Sequence, residues 1–301
     1  MANQTSQTSN LETLQGYKNK VNQKEVSTDI RTNIIYFTTK CNLACTYCYE
    51  ALDEVNGINT SIEDLYKIAD EAIEREPDDV QTFFGLFGGE PTLTWDNVEK
   101  FMDYAYSKKQ NVHFEMITNG IKFKNEDFIH RVYNNEHIKN GRLSISISFD
   151  GIKGNVQRVY SNGKQSVYDV IEALAKLTYL GKKFRIRYTI HKDNIDTILE
   201  DIEDIMNNFK PLRIITSEVN SLFDSEDYRK IFIAYSILKD KWNNAEIQIP
   251  ICELFCETCT GCSITRSKLQ YSIQDKKIVK DHRSIGAFDD FDFIKKDKNG
   301  K

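Results

Sequence analysis

The sequence predicts an α/β fold: six parallel strands alternating with helices, as an open barrel or a doubly wound sheet, followed by a small cysteine-rich β-hairpin. Three observations predict it. Short β-rich runs recur at 33–38, 82–87, 112–118, 143–149, 184–191 and 212–217, several of them apolar almost throughout, as in a parallel sheet covered by helices. Amphipathic stretches separate the runs. Glycines and small hydrogen-bonding residues gather just after them, at the carboxyl ends where α/β sheets carry their ligand chemistry.

Residues 1–30 are polar, have no sustained period and read as a loose leader. The first strand, with Ile34, Ile35, Tyr36 and Phe37, leads straight into a cysteine triplet. The first helix carries Ile62, Leu65, Ala69, Ala72 and Ile73 on one face, and Ser61-x-x-Asp64 has the form of its capping box. Further helices are expected over 96–108, 124–134, 166–180 and 193–208, and another over 225–241 after the last strand. Leu269, Tyr271 and Ile273 then alternate before Asp275-Lys276-Lys277 and the short run Ile278-Val279, which reads as a hairpin. The tail from Phe288 is strongly charged and is expected to fray. The divisions are thus a leader (1–30), the βα domain (31–220) and a C-terminal extension (221–301).

The chain of 301 residues is 40% hydrophobic and 28% charged, which marks a soluble globular protein. Its formal net charge of −5 gives no footing for nucleic acid, which needs a basic patch. No stretch reaches the roughly 20 apolar residues of a membrane span, and the first ten residues lack the apolar core of a signal peptide. The expected location is the cytoplasm, with no membrane partner.

All seven cysteines fall into two groups. Cys41, Cys45 and Cys48 have the spacing C-x3-C-x2-C just past the first strand. Three thiolates on one tight loop can hold three irons of a [4Fe–4S] cluster, and the missing fourth ligand leaves one iron open to a small molecule. Cys252, Cys256, Cys259 and Cys262 follow the spacing C-x3-C-x2-C-x2-C. A long chain without a secretion signal argues against a disulfide framework and for metal or cluster binding.

The other strand ends complete a constellation. The second strand ends in Gly88-Gly89-Glu90-Pro91, the third in Thr118-Asn119-Gly120 and the fourth in Ser148-Phe149-Asp150-Gly151. Paired glycines let a backbone approach a ligand closely, and Glu90 adds a negative charge suited to an ammonium group. Each string alone is ordinary turn chemistry. At successive strand ends they form the rim of one pocket.

With these four motifs in this order, residues 31–220 resemble the radical SAM (S-adenosylmethionine) superfamily. The resemblance implies a partial (β/α)6 TIM-like barrel. It implies that Cys41, Cys45 and Cys48 hold a catalytic [4Fe–4S] cluster whose open iron binds the amino and carboxylate groups of S-adenosylmethionine. Tyr47 is the aromatic residue before the last cysteine. Gly88, Gly89 and Glu90 would meet the amino group, and Thr118, Asn119 and Ser148 the ribose or carboxylate. Arg158 would pair with the carboxylate, and Asn194 would line the adenine side. The chemistry implied is reductive cleavage to a 5′-deoxyadenosyl radical that abstracts a hydrogen atom from a substrate.

The second cysteine group resembles the C-terminal extension of the SPASM/twitch subgroup. Where that subgroup usually carries another cysteine after the hairpin, this chain has Lys280-Asp281-His282. A two-cluster domain is excluded by count. The open readings are one auxiliary [4Fe–4S] cluster on all four thiols, a structural zinc in their place, or three ligands and one free thiol. The subgroup implies a peptide or protein substrate, modified by crosslinking, oxidation or epimerisation, and a low-potential flavodoxin- or ferredoxin-like electron donor. A nucleotide, sugar or cofactor precursor is the alternative substrate, and a non-catalytic iron–sulfur or zinc scaffold is the alternative class. The five histidines show no metal spacing and read as surface or packing residues. Tyr36, Tyr188 and Tyr235 are candidates to line the pocket or act as acid or radical relay, and Glu218, just past the sixth strand, is a candidate substrate contact or base.

Overall fold

A computed structural model describes residues 32–48, 57–219, 223–242, 267–272 and 277–279. Six strands alternate with helices in the expected order. They are β1 (Thr32–Tyr36), α1 (Ile62–Glu74), β2 (Thr82–Phe87), α2 (Trp95–Lys108), β3 (Val112–Thr118), α3 (Glu126–Tyr133) and the single turn α4 (Glu136–Lys139). Then come β4 (Leu143–Ser148), α5 (Val167–Tyr179), β5 (Arg185–Ile190), α6 (Ile198–Phe209), β6 (Arg213–Glu218) and α7 (Ser225–Trp242). A hairpin of β7 (Ser267–Ser272) and β8 (Lys277–Val279) follows.

The sheet runs β6-β5-β4-β3-β2-β1-β7-β8. Strands β1 to β6 are all parallel and lie in sequential order. A doubly wound sheet needs a reversal of strand order, and β1 to β6 show none. Right-handed crossovers in one direction carry every helix to the same face, which is the arrangement of a barrel sector. The hairpin forms where the alternation of Leu269 and Tyr271 predicts it. The sequence did not foretell that β7 would pair in parallel with β1, extending the sheet at that edge. Cys252, Cys256, Cys259 and Cys262, and the leader 1–30, lie outside the described residues. No helix among the described residues is long and apolar enough to cross a membrane.

Alternation along the strands divides the sheet into two faces. Ile35, Phe84, Leu86, Phe114, Met116 and Ile145 join one apolar core with the inward stripes of the helices. Each large apolar side chain so buried stabilises the fold by about 1.5–3 kcal/mol. The residues between them face the concave side.

Helix ends refine the expected bounds. Ser61 caps α1 through its hydroxyl, which accepts from the Asp64 amide at 3.1 Å, but that hydroxyl also donates to Asp64 Oδ2 at 2.8 Å. The carboxylate therefore bonds the side chain of the cap rather than its backbone amide, so the box is one-sided. The helix expected from 124 starts at Glu126, after a 3-10 turn Ile121–Lys124, because Asn125 is extended and caps it through Phe128 N. The helix expected from 193 likewise opens with a 3-10 turn, Lys192–Thr197.

Candidate active site

The chemistry-bearing residues meet at the carboxyl ends of β1 to β5. Beyond β1 the Phe37 amide still donates to Phe87 O at 3.1 Å, and the chain then opens into the cysteine loop. Two different segments grip that loop. On one side Gly89 N donates to Thr38 O and Glu90 N to Lys40 O, both at 2.8 Å. On the other, Ala44 N donates to Val159 O at 2.7 Å and Thr46 N to Gln157 O at 2.9 Å. Between Cys45 and Cys48 a turn closes with Cys48 N donating to Cys45 O at 2.9 Å.

The glycine pair is what permits the first grip. Gly88 has φ +144°, and a Cβ there would sit 2.5 Å from Thr38 O; one on Gly89 would sit 2.3 Å from Lys40 O. The close approach read from the sequence is thus made to the backbone of the cysteine loop. Gly89→Ala is expected to push that backbone away at an overpacking cost of about 1–3 kcal/mol. Differential scanning calorimetry should register this as a fall in melting temperature of about 2–12 °C. An unchanged melting temperature would show that the loop yields freely.

Glu90 ties two strand ends together. Its buried carboxylate accepts from Thr92 N (3.0 Å), Thr92 Oγ1 (2.6 Å), Thr118 Oγ1 (2.7 Å) and Asn119 N (2.7 Å). Burial pushes this carboxyl above its usual range against the pull of those donors. Asn119 spans to the cysteine loop: its Nδ2 donates to Asn42 Oδ1 at 2.7 Å and lies 3.8 Å from Cys41 Sγ.

A second carboxylate organises the opposite side. Asp150, fully buried, accepts from the Tyr47 hydroxyl (2.5 Å), Arg158 Nε (2.8 Å) and Thr189 N (2.8 Å). Arg158 Nη2 also reaches Thr189 Oγ1 at 3.3 Å, and the guanidinium lies 5.3 Å from the centre of the Tyr47 ring. Burial opposes the charge of Arg158, yet Asp150 and its neighbours hold it firmly protonated. Burial also raises the Tyr47 phenol well above its ordinary value. Asp150 therefore fastens the aromatic residue of the cysteine loop to β4 and β5. Asp201, on α6 and equally buried, accepts from Lys153 N (2.8 Å) and Gly154 N (2.9 Å) and shapes the turn after Asp150.

Other residues singled out from the sequence are placed as follows. Ser148 is buried at the end of β4. Asn194 is fully buried, with Oδ1 accepting from His191 N and Nδ2 donating to Thr189 O, both at 2.9 Å. Arg158 and Asn194 are thus engaged by protein groups, Arg158 through Asp150 and Asn194 through the turn after β5. Tyr36 is in register with Phe87 on the concave face, whereas Tyr188 and Tyr235 are buried in the apolar core. Of Glu218 the backbone is placed, in register with Ile190 at the end of β6. Among the histidines, His137 and His191 are buried packing residues, His191 against the Tyr47 ring at 5.6 Å. Sequence reasoning missed the roles of Asp150 and Asp201. Asp150 stood in a quoted motif without an assigned partner, and nothing local marks Asp201.

The donor set fits an iron–sulfur group. Cys41 and Cys45 are half-buried and Cys48 is exposed. Burial, with the Glu90 charge, pushes the Cys41 thiol up to about 12, and burial raises Cys45 as well. Thiols so placed become thiolates only against a cationic centre. Among the described residues no three such side chains converge on one point, as a single metal ion requires. A cubane makes no such demand, since each of its irons takes one thiolate.

Residues 35–205 match the radical SAM superfamily. The chain belongs to that superfamily. A radical SAM cyclopropyl synthase, TigE of Paramaledivibacter caminithermalis, is 23% identical over 224 residues, covering 69% of this chain and 44% of TigE. An uncharacterised protein of Methanocaldococcus jannaschii is 30% identical over 173 residues, 56% of each chain. The chain therefore spans about half the length of these curated relatives. Among solved structures, SuiB of Streptococcus suis bound to precursor peptide SuiA superposes with a TM-score of 0.60 at 16% identity, over 93% of this chain and 65% of SuiB. The structure of anSMEcpe with bound AdoMet superposes with a TM-score of 0.58 at 18% identity, over 72% and 63%. These likenesses show the partial-barrel fold.

Proposed function

We propose that this radical SAM enzyme abstracts a hydrogen atom from a peptide or protein substrate, leading to crosslinking, oxidation or epimerisation. The observation that carries the radical site is the cysteine loop itself, pinned between the end of β2 and the 157–159 segment with three thiols on one loop. Support for a peptide substrate comes from relatives: SuiB is crystallised with a precursor peptide, and anSMEcpe with Cp18Cys.

In this reading Cys41, Cys45 and Cys48 hold a [4Fe–4S] cluster that, with S-adenosylmethionine bound, supplies the 5′-deoxyadenosyl radical. Gly88, Gly89 and Glu90 would set the edge that meets the cofactor's amino group. Thr118, Asn119 and Ser148 would face its ribose or carboxylate, while Tyr47 and Arg158 would hold the carboxylate side in shape and Asn194 the adenine side. The protein's part is to fix these strand ends and exclude water. The extension's four cysteines are proposed to hold one auxiliary [4Fe–4S] cluster, as in a SPASM/twitch-like subgroup, with zinc as the other reading. A low-potential flavodoxin- or ferredoxin-like protein is the proposed electron donor.

The test is an anaerobic incubation of the reconstituted enzyme with dithionite, S-adenosylmethionine and candidate precursor peptides. A peptide mass or stereochemical change accompanying 5′-deoxyadenosine is expected. Turnover-linked 5′-deoxyadenosine that appears with a nucleotide or sugar phosphate, and with no peptide, would overturn the substrate class.

A further inference from the structure

The cysteine loop is gripped around Cys45 by a segment with little support of its own. Ala44 N and Thr46 N, one on either side of Cys45, donate to Val159 O at 2.7 Å and Gln157 O at 2.9 Å. Residues 158–166 double back on themselves with one isolated antiparallel bridge, Val159 to Gln165, and Ser161, Asn162 and Gly163 are exposed at the tip. Tyr160 N donates to Lys164 O at 2.8 Å, and Ser166 N and Oγ close the base on Arg158 O at 3.0 and 2.8 Å. A two-stranded hairpin alone is at best marginally stable in water. The Arg158 side chain ties one side of this one to Asp150. With that tie alone, Val159 is free to pivot.

A second tie starts from Tyr160. Its hydroxyl donates to Asp169 Oδ2 on α5 at 2.8 Å, and Asp169 Oδ1 accepts from Lys124 Nζ. Glu172 Oε2 lies 3.1 Å from the same ammonium, and Lys176 Nζ donates to Lys124 O at 2.7 Å. Burial, and then Asp169 itself, push the Tyr160 phenol up to about 12, while Lys124 holds the Asp169 carboxyl below its usual range. At neutral pH the hydroxyl, the carboxylate and the ammonium therefore keep fixed donor and acceptor roles. Lys124 ends the 3-10 turn Ile121–Lys124. The first residue of that turn, Ile121, donates through its N to Asn119 Oδ1 at 3.1 Å, and Asn119 Nδ2 donates to Asn42 Oδ1 at 2.7 Å. The contacts close a circuit around the cysteine loop: from Asn42 through Asn119, Lys124, Asp169 and Tyr160, and back through Val159 to Ala44.

We propose that Tyr160, Asp169 and Lys124 are positioning residues that hold the Cys45 side of the cysteine loop at a set distance from its Cys41 side. They act through Val159 and Asn119. This rests on the reading that Cys41, Cys45 and Cys48 hold the cluster, and it adds the device that keeps their spacing. Charge-assisted hydrogen bonds suit that task, being short and strong. Opening the circuit leaves the barrel core in place but lets the loop take spacings that do not suit the cluster. Only the fraction of chains with the competent spacing then binds S-adenosylmethionine, and the apparent affinity falls by that fraction.

The test is electron paramagnetic resonance on the full chain, reconstituted anaerobically and reduced with dithionite. S-adenosylmethionine is titrated in, and the part of the cluster signal that shifts is followed. Tyr160→Phe and Asp169→Ala are each expected to raise the half-saturating concentration about three- to tenfold. Asp169→Asn keeps an oxygen for Lys124 and a polar group beside the Tyr160 hydroxyl, so it should fall between Asp169→Ala and wild type. The control for mere loss of stability is Tyr133→Phe. Tyr133 donates its hydroxyl to Lys183 O at 2.9 Å, ahead of β5 at the amino end of the sheet, so this variant also loses one tyrosine hydrogen bond. Tyr133→Phe and Tyr160→Phe should each melt about 2–4 °C below wild type, but only Tyr160→Phe should move the titration. A Tyr160→Phe titration within twofold of wild type would overturn the proposal. So would a Tyr133→Phe titration weakened as much as that of Tyr160→Phe, which would mark the relay as ordinary structural support. Should Asp169→Ala fail to fold, Tyr160→Phe decides alone. A wild-type signal that ignores S-adenosylmethionine refutes the cluster reading and the relay with it, whereas a responsive wild type matched by Tyr160→Phe refutes the relay alone.

Discussion

Replacing Cys41, Cys45 and Cys48 together with alanine is expected to remove about four irons per chain and abolish 5′-deoxyadenosine formation. The chain should still fold. These thiols lie on a loop held by backbone hydrogen bonds from Gly89, Glu90, Ala44 and Thr46, none of which needs a cysteine side chain. The β1 to β6 core packs on the other face of the sheet. Iron and acid-labile sulfide analysis with a dithionite-driven assay gives the result directly. Wild type should carry about eight irons if Cys252, Cys256, Cys259 and Cys262 hold a second cluster, or about four irons and one zinc if they hold zinc. The variant should keep only the C-terminal metal. Full iron loading in the triple variant would place the catalytic cluster elsewhere, and cleavage without those thiols would end the radical reading.

The features legible in the sequence are those carried by short-range pattern. The βα alternation, the hairpin at Leu269 and Tyr271 and the strand-end motifs all depend on residues within a few positions of one another. What escaped was set by contacts between distant segments. The glycine pair encodes a close approach; that the Lys40 backbone packs against it is a matter of tertiary register. Asp150 and Tyr47 are 103 residues apart, and nothing in either neighbourhood names the other. Asp201 sits in an amphipathic helix like any exposed acid, and only the turn packed over it shows why it is buried. The polar side of β5 was within reach: Arg185 and Arg187 alternate with Ile186 and Tyr188, a period-two signal for a strand with one polar face. Reading that strand as one more run of a helix-covered parallel sheet hid it.

Asp150→Ala is expected to be among the most damaging single changes in the barrel. It leaves the Arg158 guanidinium buried without its carboxylate and frees the Tyr47 hydroxyl and the Thr189 amide in the same stroke. Breaking a buried ion pair by removing one partner costs about 3–5 kcal/mol, because the remaining charge keeps its desolvation penalty. For a domain of this size that is a fall in melting temperature of about 6–20 °C. The comparison that separates charge from packing is Asp150→Ala with Arg158→Met. Removing both charges and restoring apolar volume should recover much of the loss, since buried pairs replaced together are often near neutral. Stability and function then part company. The double variant regains its melting temperature but leaves Tyr47 untethered, so cofactor affinity, read by equilibrium dialysis with S-adenosylmethionine on the iron-loaded chain, stays below wild type. Recovery of both together would reduce the Tyr47–Asp150 bond to a structural detail. Recovery of neither would mean that Arg158 itself meets the cofactor's carboxylate.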